Sequence, residues 1–285
     1  MIKFNEFQLT PQYLLEKQLL IQNGANYGQA VFLAGGSASG KSFAREKFMQ
    51  IDKFKVIDVD DMKTAFIKYA NLKNKYPEIQ HLDLTNPKDV FFLHTFLDDK
   101  KIKTKILNGL LMDGKQGRLP NIMFDSTFAD IKKLRPNFRD LQSVGYKPEN
   151  IHIVWVLQKY SIAVKLNRAP DRGRIVPEDI LLKAHEGAAN TMHNMIMNNK
   201  LPKGMNGGIY VILNDRDKTI FWKDKNGKTI VNTQGDKIIR RFTYITVKEP
   251  NKPIRKDAII KTLQKWIMSN APMTELTKHI WKGTN

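Results

Sequence analysis

The sequence predicts an α/β fold: a mostly parallel sheet covered by helices on both faces, followed by a small C-terminal β-hairpin and helix appendage. Three observations predict it. Apolar runs of strand length alternate with stretches of helical periodicity from residue 29 to about residue 215, the pattern of a parallel sheet with crossover helices. A glycine-rich turn separates the first apolar run from the helix that follows it. From residue 207 the texture becomes β-like, and Asn226-Gly227 is a strong hairpin signal.

The elements follow in order. Residues 12–22 have helical spacing, and Gly24 and Gly28 end that helix. Residues 29–34 form a buried strand, 41–49 a helix, 54–60 a second strand, and 62–69 a further helix. Residues 70–87, with Pro77 and Pro87, read as a polar loop on the substrate side, and 88–111 as one long helix. A third strand spans 121–127 with a polar end, then come a helix over 129–144 and a fourth strand over 150–158. A helix from 160 to 167, a basic loop over 168–177 and a helix over 178–199 complete this part. The segment 207–215 closes the sheet, the later β-like runs form the antiparallel appendage, and 255–270 is an amphipathic basic helix. The expected division is a helical extension over 1–28, the main α/β domain over 29–215 and a basic appendage over 216–285.

Composition narrows the chemistry. The 285 residues are 41% hydrophobic and 26% charged, enough for a sizeable core. Cysteine is absent, which excludes disulfides, thiolate zinc sites and cysteine nucleophiles. No apolar run approaches the ~18–20 residues of a membrane-spanning helix. The N-terminus lacks the apolar core of a secretory signal, so the expectation is a cytoplasmic protein without a membrane partner. Lys and Arg total 47 against 28 acidic residues, a net charge of +19. The last 85 residues alone hold 17 basic and 7 acidic residues. Such an excess captures polyanions and favours nucleic acid as a partner, although a lysine-rich surface has the same composition.

The motif with the most specific chemistry is Gly35-Gly36-Ser37-Ala38-Ser39-Gly40-Lys41-Ser42, which satisfies G-x-x-x-x-G-K-[ST]. The glycines let successive N–H groups curl around one phosphate, and the following helix offers it a positive N-terminus. Lys41 is expected on the β- and γ-phosphates of ATP and the Ser42 hydroxyl on Mg²⁺. The fold is thus of the P-loop NTPase type. The second strand ends in Asp58-Val59-Asp60-Asp61, and residues at carboxyl strand ends line the ligand crevice of such sheets. A carboxylate at Asp60 can take a hydroxyl proton and orient the attacking oxygen. Asp58 is expected against the sheet or a helix cap.

Gly-Gly-x-x-x-Gly-Lys-Ser, followed about eighteen residues later by Asp-x-Asp, resembles the zeta-toxin and polynucleotide-kinase branch of P-loop kinases over residues 29–215. The resemblance implies an ATP-dependent kinase in which Asp60 is the general base. It implies that Lys63 occupies the basic position after the acidic pair, and that Asp125 in Phe124-Asp125-Ser126-Thr127 replaces the family's Glu. Asp125, Lys63 and Thr127 are then the substrate-side residues, with Asp125 also near the metal. A lid with arginines closes over ATP in this branch. Asn167-Arg168-Ala169-Pro170-Asp171-Arg172-Gly173-Arg174 matches it, with Arg168 and Arg174 as catalytic arginines and Arg172 on the nucleotide.

Other candidates carry less. His81, His185 and His193 lack zinc-ligand spacing and read as structural, and Trp155 reads as core. Phe221 and Trp222, among Arg216, Lys218, Lys223 and Lys225, suit base stacking or a half-buried hairpin equally. The acceptor stays open among three readings. The first is a nucleic-acid hydroxyl (a 5′ end or a hydroxymethylated base, as in viral DNA-modification kinases of this branch). The second is an activated amino sugar, as for zeta toxins, and the third an ATP-switched nucleic-acid-binding module. The basic charge favours the first.

Overall fold

A computed structural model of the chain describes residues 27–49, 54–102, 104–105, 108–109, 119–169, 175–214, 220–221, 223–231, 239–241, 243–255, 258–270 and Trp281. Its strands are β1 (Ala30–Ala34), β2 (Phe54–Asp58), β3 (Asn121–Asp125), β4 (Ile151–Leu157), β5 (Ile209–Leu213), β6 (Ile220–Phe221), β7 (Ile239–Arg241) and β8 (Thr243–Lys248). Its helices are α1 (Lys41–Phe48), α2 (Val59–Leu72), α3 (Pro87–Asp99), α4 (Ile131–Ser143), α5 (Tyr160–Asn167), α6 (Glu178–Ile196) and α7 (Ala258–Asn270).

Six strands form one sheet in the order β2-β3-β1-β4-β5-β8. The first five run parallel and β8 pairs antiparallel to β5. Alternation along β1 divides the core between the two faces. Ala30, Phe32 and Ala34 join a large cluster with residues of α4, α6 and α7. Val31 and Leu33 join a smaller one with Ala44 of α1. Phe32 stacks on Phe124 and Phe138, with ring centroids 4.5 and 4.2 Å apart. Trp155, expected in the core, is buried and stacks on Trp281 at 6.0 Å. The expected α/β fold, mostly parallel with helices on both faces, is the one observed.

The sheet register sets the site. Leu33 and Asp58 both pair with Asp125, so the carboxyl ends of β1, β2 and β3 lie side by side. The loop after β1 and the strand-end carboxylates therefore share one crevice.

Several elements differ from expectation. β2 stops at Asp58, and Val59 and Asp60 begin α2 instead of ending the strand. The segment after Tyr69 is not a plain polar loop. α2 continues to Leu72, a 3₁₀ turn forms at Pro77–Ile79, and Ile79 packs with Ala70, Leu93 and Leu97 in a separate small core. The long helix breaks at Lys100-Lys101, where Lys101 takes φ +52°. β8 comes from the segment expected to form only an appendage; apolar alternation in Thr243–Lys248 lets it cover the edge of β5. The Asn226-Gly227 turn forms as expected, with Asp224 and Lys228 bonded across it and Gly227 at φ +79°. The helix expected over 12–22 and Trp222 lie outside the described residues.

Candidate active site

The loop Gly35–Gly40 links β1 to α1. Ser39 N donates to Gly36 O at 3.2 Å to close a tight turn, and Gly35 N donates to Thr127 O at 3.3 Å. Lys41, the first residue of α1, turns its amine back over the loop. Its Nζ donates to Gly35 O at 3.0 Å and Gly36 O at 3.2 Å and lies 3.7 Å from Asp125 Oδ1. One helical turn later, Arg45 Nη1 lies 3.2 Å from Asp58 Oδ2 and 3.7 Å from Asp125 Oδ2. Asp58 and Asp125 are only 9% and 8% exposed. Two nearly buried carboxylates at adjacent strand ends repel unless counter-charged; Lys41 and Arg45, on one face of α1, supply two cations for two anions.

Two further side chains hold the loop. His185 of α6 is 4% exposed, and its Nε2 donates to Ser37 O at 2.7 Å. Asn214, directly after β5 and 3% exposed, donates from Nδ2 to Ser39 O at 2.8 Å. Burial pushes the His185 imidazole down to about 4; the bond to Ser37 opposes this and the Lys41 charge adds to it. Ser39 Oγ, Ser126 Oγ and Asn214 Oδ1 are buried without a hydrogen-bond partner among the described residues.

The remaining expected site residues are placed as follows. Ser42 and Thr127 are exposed. Lys63 is 6% exposed within α2. Asp60 is the second residue of α2, two positions beyond Asp58; its side chain, Arg172 and Arg174 lie outside the described residues. Arg168 is exposed and pairs with Glu178, not with the phosphate loop. The two ends of the segment expected to form a lid are joined through the buried Asn167. Its Nδ2 donates to Val176 O at 2.7 Å and its Oδ1 accepts from Val176 N at 3.1 Å. Asp58, expected against the sheet or a cap, is instead held by Arg45. Arg45 and Asn214 belong to no motif in the sequence, and His185 reads there as structural. Available signals were Arg45 four residues after Lys41 on one helix face, and Asn214 at a carboxyl strand end.

The oxygen donors here, the Ser42 hydroxyl with the Asp58 and Asp125 carboxylates, suit Mg²⁺, which takes few protein ligands and keeps several waters. Among the described residues no three His, Asp or Glu gather into a metal cluster, and no described helix is long and apolar enough to cross a membrane.

A glycine-rich loop on a parallel sheet, capped by Lys41 and flanked by strand-end carboxylates, defines an ATP-binding kinase of the P-loop class. The chain belongs to the Zeta toxin family, which it matches over residues 13–226. Among solved structures it is similar to the PezAT chromosomal toxin-antitoxin system of Streptococcus pneumoniae. That likeness has 15% identity, covers 69% of this chain and 72% of the other, and has a TM-score of 0.42. It is also similar to the AvrRxo1-ORF1:-ORF2 complex with ATP, with 10% identity, 89% and 75% coverage and a TM-score of 0.45. No curated protein matches the chain.

The buried histidines give the fold an acid-sensitive stability. His152, at the start of β4, accepts from Gly208 N through Nδ1 and donates from Nε2 to Gln29 Oε1. Burial and then the Lys248 charge push it down to about 4. Both histidines bind a proton near pH 6.5 when unfolded and only near pH 4 when folded. Their contribution is therefore complete above pH 6.5 and falls as pH drops from there towards 4. At pH 5 each is expected to remove roughly 2 kcal/mol of stability. A melting temperature lower at pH 5 than at pH 7.5, with a smaller drop in His152→Gln, is the expected result; equal melting temperatures would contradict it.

Proposed function

We propose that the chain transfers the γ-phosphoryl group of Mg·ATP to a hydroxyl of nucleic acid, a 5′ end or a hydroxymethylated base. In this reading Lys41 leaves the Gly35 and Gly36 carbonyls for the β- and γ-phosphates. Ser42 and Asp125 would hold Mg²⁺, which would supply charge neutralisation at the phosphates. Asp60 takes the acceptor proton as the hydroxyl oxygen bonds to the γ-phosphorus. The bond from that phosphorus to the β–γ bridging oxygen breaks, and ADP leaves with the bond's electrons. Arg168, Arg172 and Arg174 offset charge on the transferring group when the lid closes, which requires Arg168 to exchange Glu178 for phosphate. Lys63 and Thr127 serve the acceptor side.

The observation that carries the acceptor is the charge of +19. It is supported by Lys132, Lys133, Arg135 and Arg139, which lie exposed on α4, the helix that follows Asp125. A second reading, phosphorylation of an activated amino sugar, is favoured by membership of the Zeta toxin family. The test offers γ-labelled ATP and Mg²⁺ with hydroxyl-ended oligonucleotides, hydroxymethyl-pyrimidine DNA and UDP-amino-sugars in parallel. Label on DNA is the expected result. Label confined to the sugar nucleotide would establish the second reading and reduce the basic surface to background.

A further inference from the structure

We infer that His185 and Asn214 are positioning residues that hold the phosphate loop in its anion-binding form by anchoring two of its carbonyls from outside. The inference rests on the loop being the phosphate cradle of the kinase. In a planar trans peptide the C=O of one residue and the N–H of the next point in opposite directions. The His185 Nε2–H on Ser37 O, at 2.7 Å, therefore turns the Ala38 N–H to the opposite side of that peptide. The Asn214 Nδ2–H on Ser39 O, at 2.8 Å, does the same for the Gly40 N–H. Neither Ala38 nor Gly40 N–H has a hydrogen-bond partner among the described residues. Two donors are thus left for an anion while the carbonyls that would repel it are tied back.

A second observation supports each anchor. A Cβ at Gly36 would meet three ring atoms of His185 at 2.2–2.5 Å, and one at Gly40 would lie 2.1 Å from Asn214 Nδ2. The loop backbone is pressed onto both side chains. Gly36 does not take a positive φ, so close approach to His185, not backbone conformation, is what requires glycine there. Ala38, between the anchored carbonyls, is held at φ +57°, a conformation that a free loop with a Cβ at this position disfavours. The anchors come from two separate elements, α6 and the residue directly after β5. The cradle is therefore set before nucleotide arrives.

The test measures binding of inorganic tripolyphosphate and of ATP to the wild-type chain, His185→Phe, Asn214→Leu and His185→Gln by titration calorimetry, with melting temperatures alongside. Loss of either donor is expected to weaken both ligands about tenfold. His185→Gln, which keeps an N–H donor, is expected to recover most of the affinity, and KM for ATP is expected to rise more than kcat falls. A purely structural role would lower melting temperature without this Phe-against-Gln difference. Should His185→Phe fail to fold, Asn214→Leu carries the same test. Unchanged tripolyphosphate affinity in the folded variants, or equal loss in His185→Phe and His185→Gln, would overturn the inference. A wild-type chain that binds no tripolyphosphate would count against the phosphate-loop reading itself.

Discussion

Asp60→Asn is expected to leave ATP affinity near the wild-type value and to lower phosphoryl transfer by ~10²–10⁴-fold, the usual contribution of a positioned general base. The asymmetry follows from placement. Asp60 lies in the first turn of α2, and β3 separates β2 from the strand that carries the phosphate loop, so ATP contacts are expected from the loop and not from Asp60. The junction that carries it is anchored: Asp58, the last residue of β2, is tied to Arg45 of α1. The amide of Asn is nearly isosteric but accepts no proton at neutral pH, so the substitution tests chemistry without a change in volume. Binding by calorimetry and transfer by label release separate the two effects. Retained turnover would remove Asp60 from the role of base. Relief of poor wild-type expression by the same substitution would favour the amino-sugar reading of the acceptor.

Lys41→Ala is expected to damage both steps. The Lys41 amine is the loop's own cation, held by the Gly35 and Gly36 carbonyls and 3.7 Å from Asp125. Its loss removes a charge-assisted contact to phosphate, worth about 10- to 100-fold in ATP affinity. It also removes stabilisation of the charge developing on the transferring group, worth a further ~10²–10³-fold in rate. Asp125 would keep Arg45 as its counter-charge at 3.7 Å, so the variant is expected to fold. An unaltered rate in folded protein would undermine the P-loop assignment.

How far the sequence can be read differs from one part of the site to another. The phosphate loop is legible because its chemistry is local: eight consecutive residues supply the turn, the cation and the helix start. Asp125 is legible through the family resemblance, which implies an acidic residue at the end of the third strand. His185 is not, since it lies 148 residues from Ser37 in sequence and only the packing of α6 brings them together. Arg45 is intermediate; its place on the face of Lys41 follows from helical spacing, but its double contact with Asp58 and Asp125 depends on strand register. β2 ends two residues earlier than the sequence predicts, because Val59 favours strands while the chain turns into a helix there. The break after α3 has neither Gly nor Pro to announce it. The pairing of β8 with β5 is a choice among partners, which alternation alone does not make.

The most direct test of the central claim follows γ-labelled ATP with Mg²⁺ and the mixed acceptors in wild-type and Asp60→Asn protein, separating acceptor-bound label from inorganic phosphate. The predicted result is label on a hydroxyl acceptor with the wild type and at least ~10²-fold slower labelling with Asp60→Asn. Release of all label as inorganic phosphate, at the same rate in both proteins, would contradict phosphoryl transfer through Asp60.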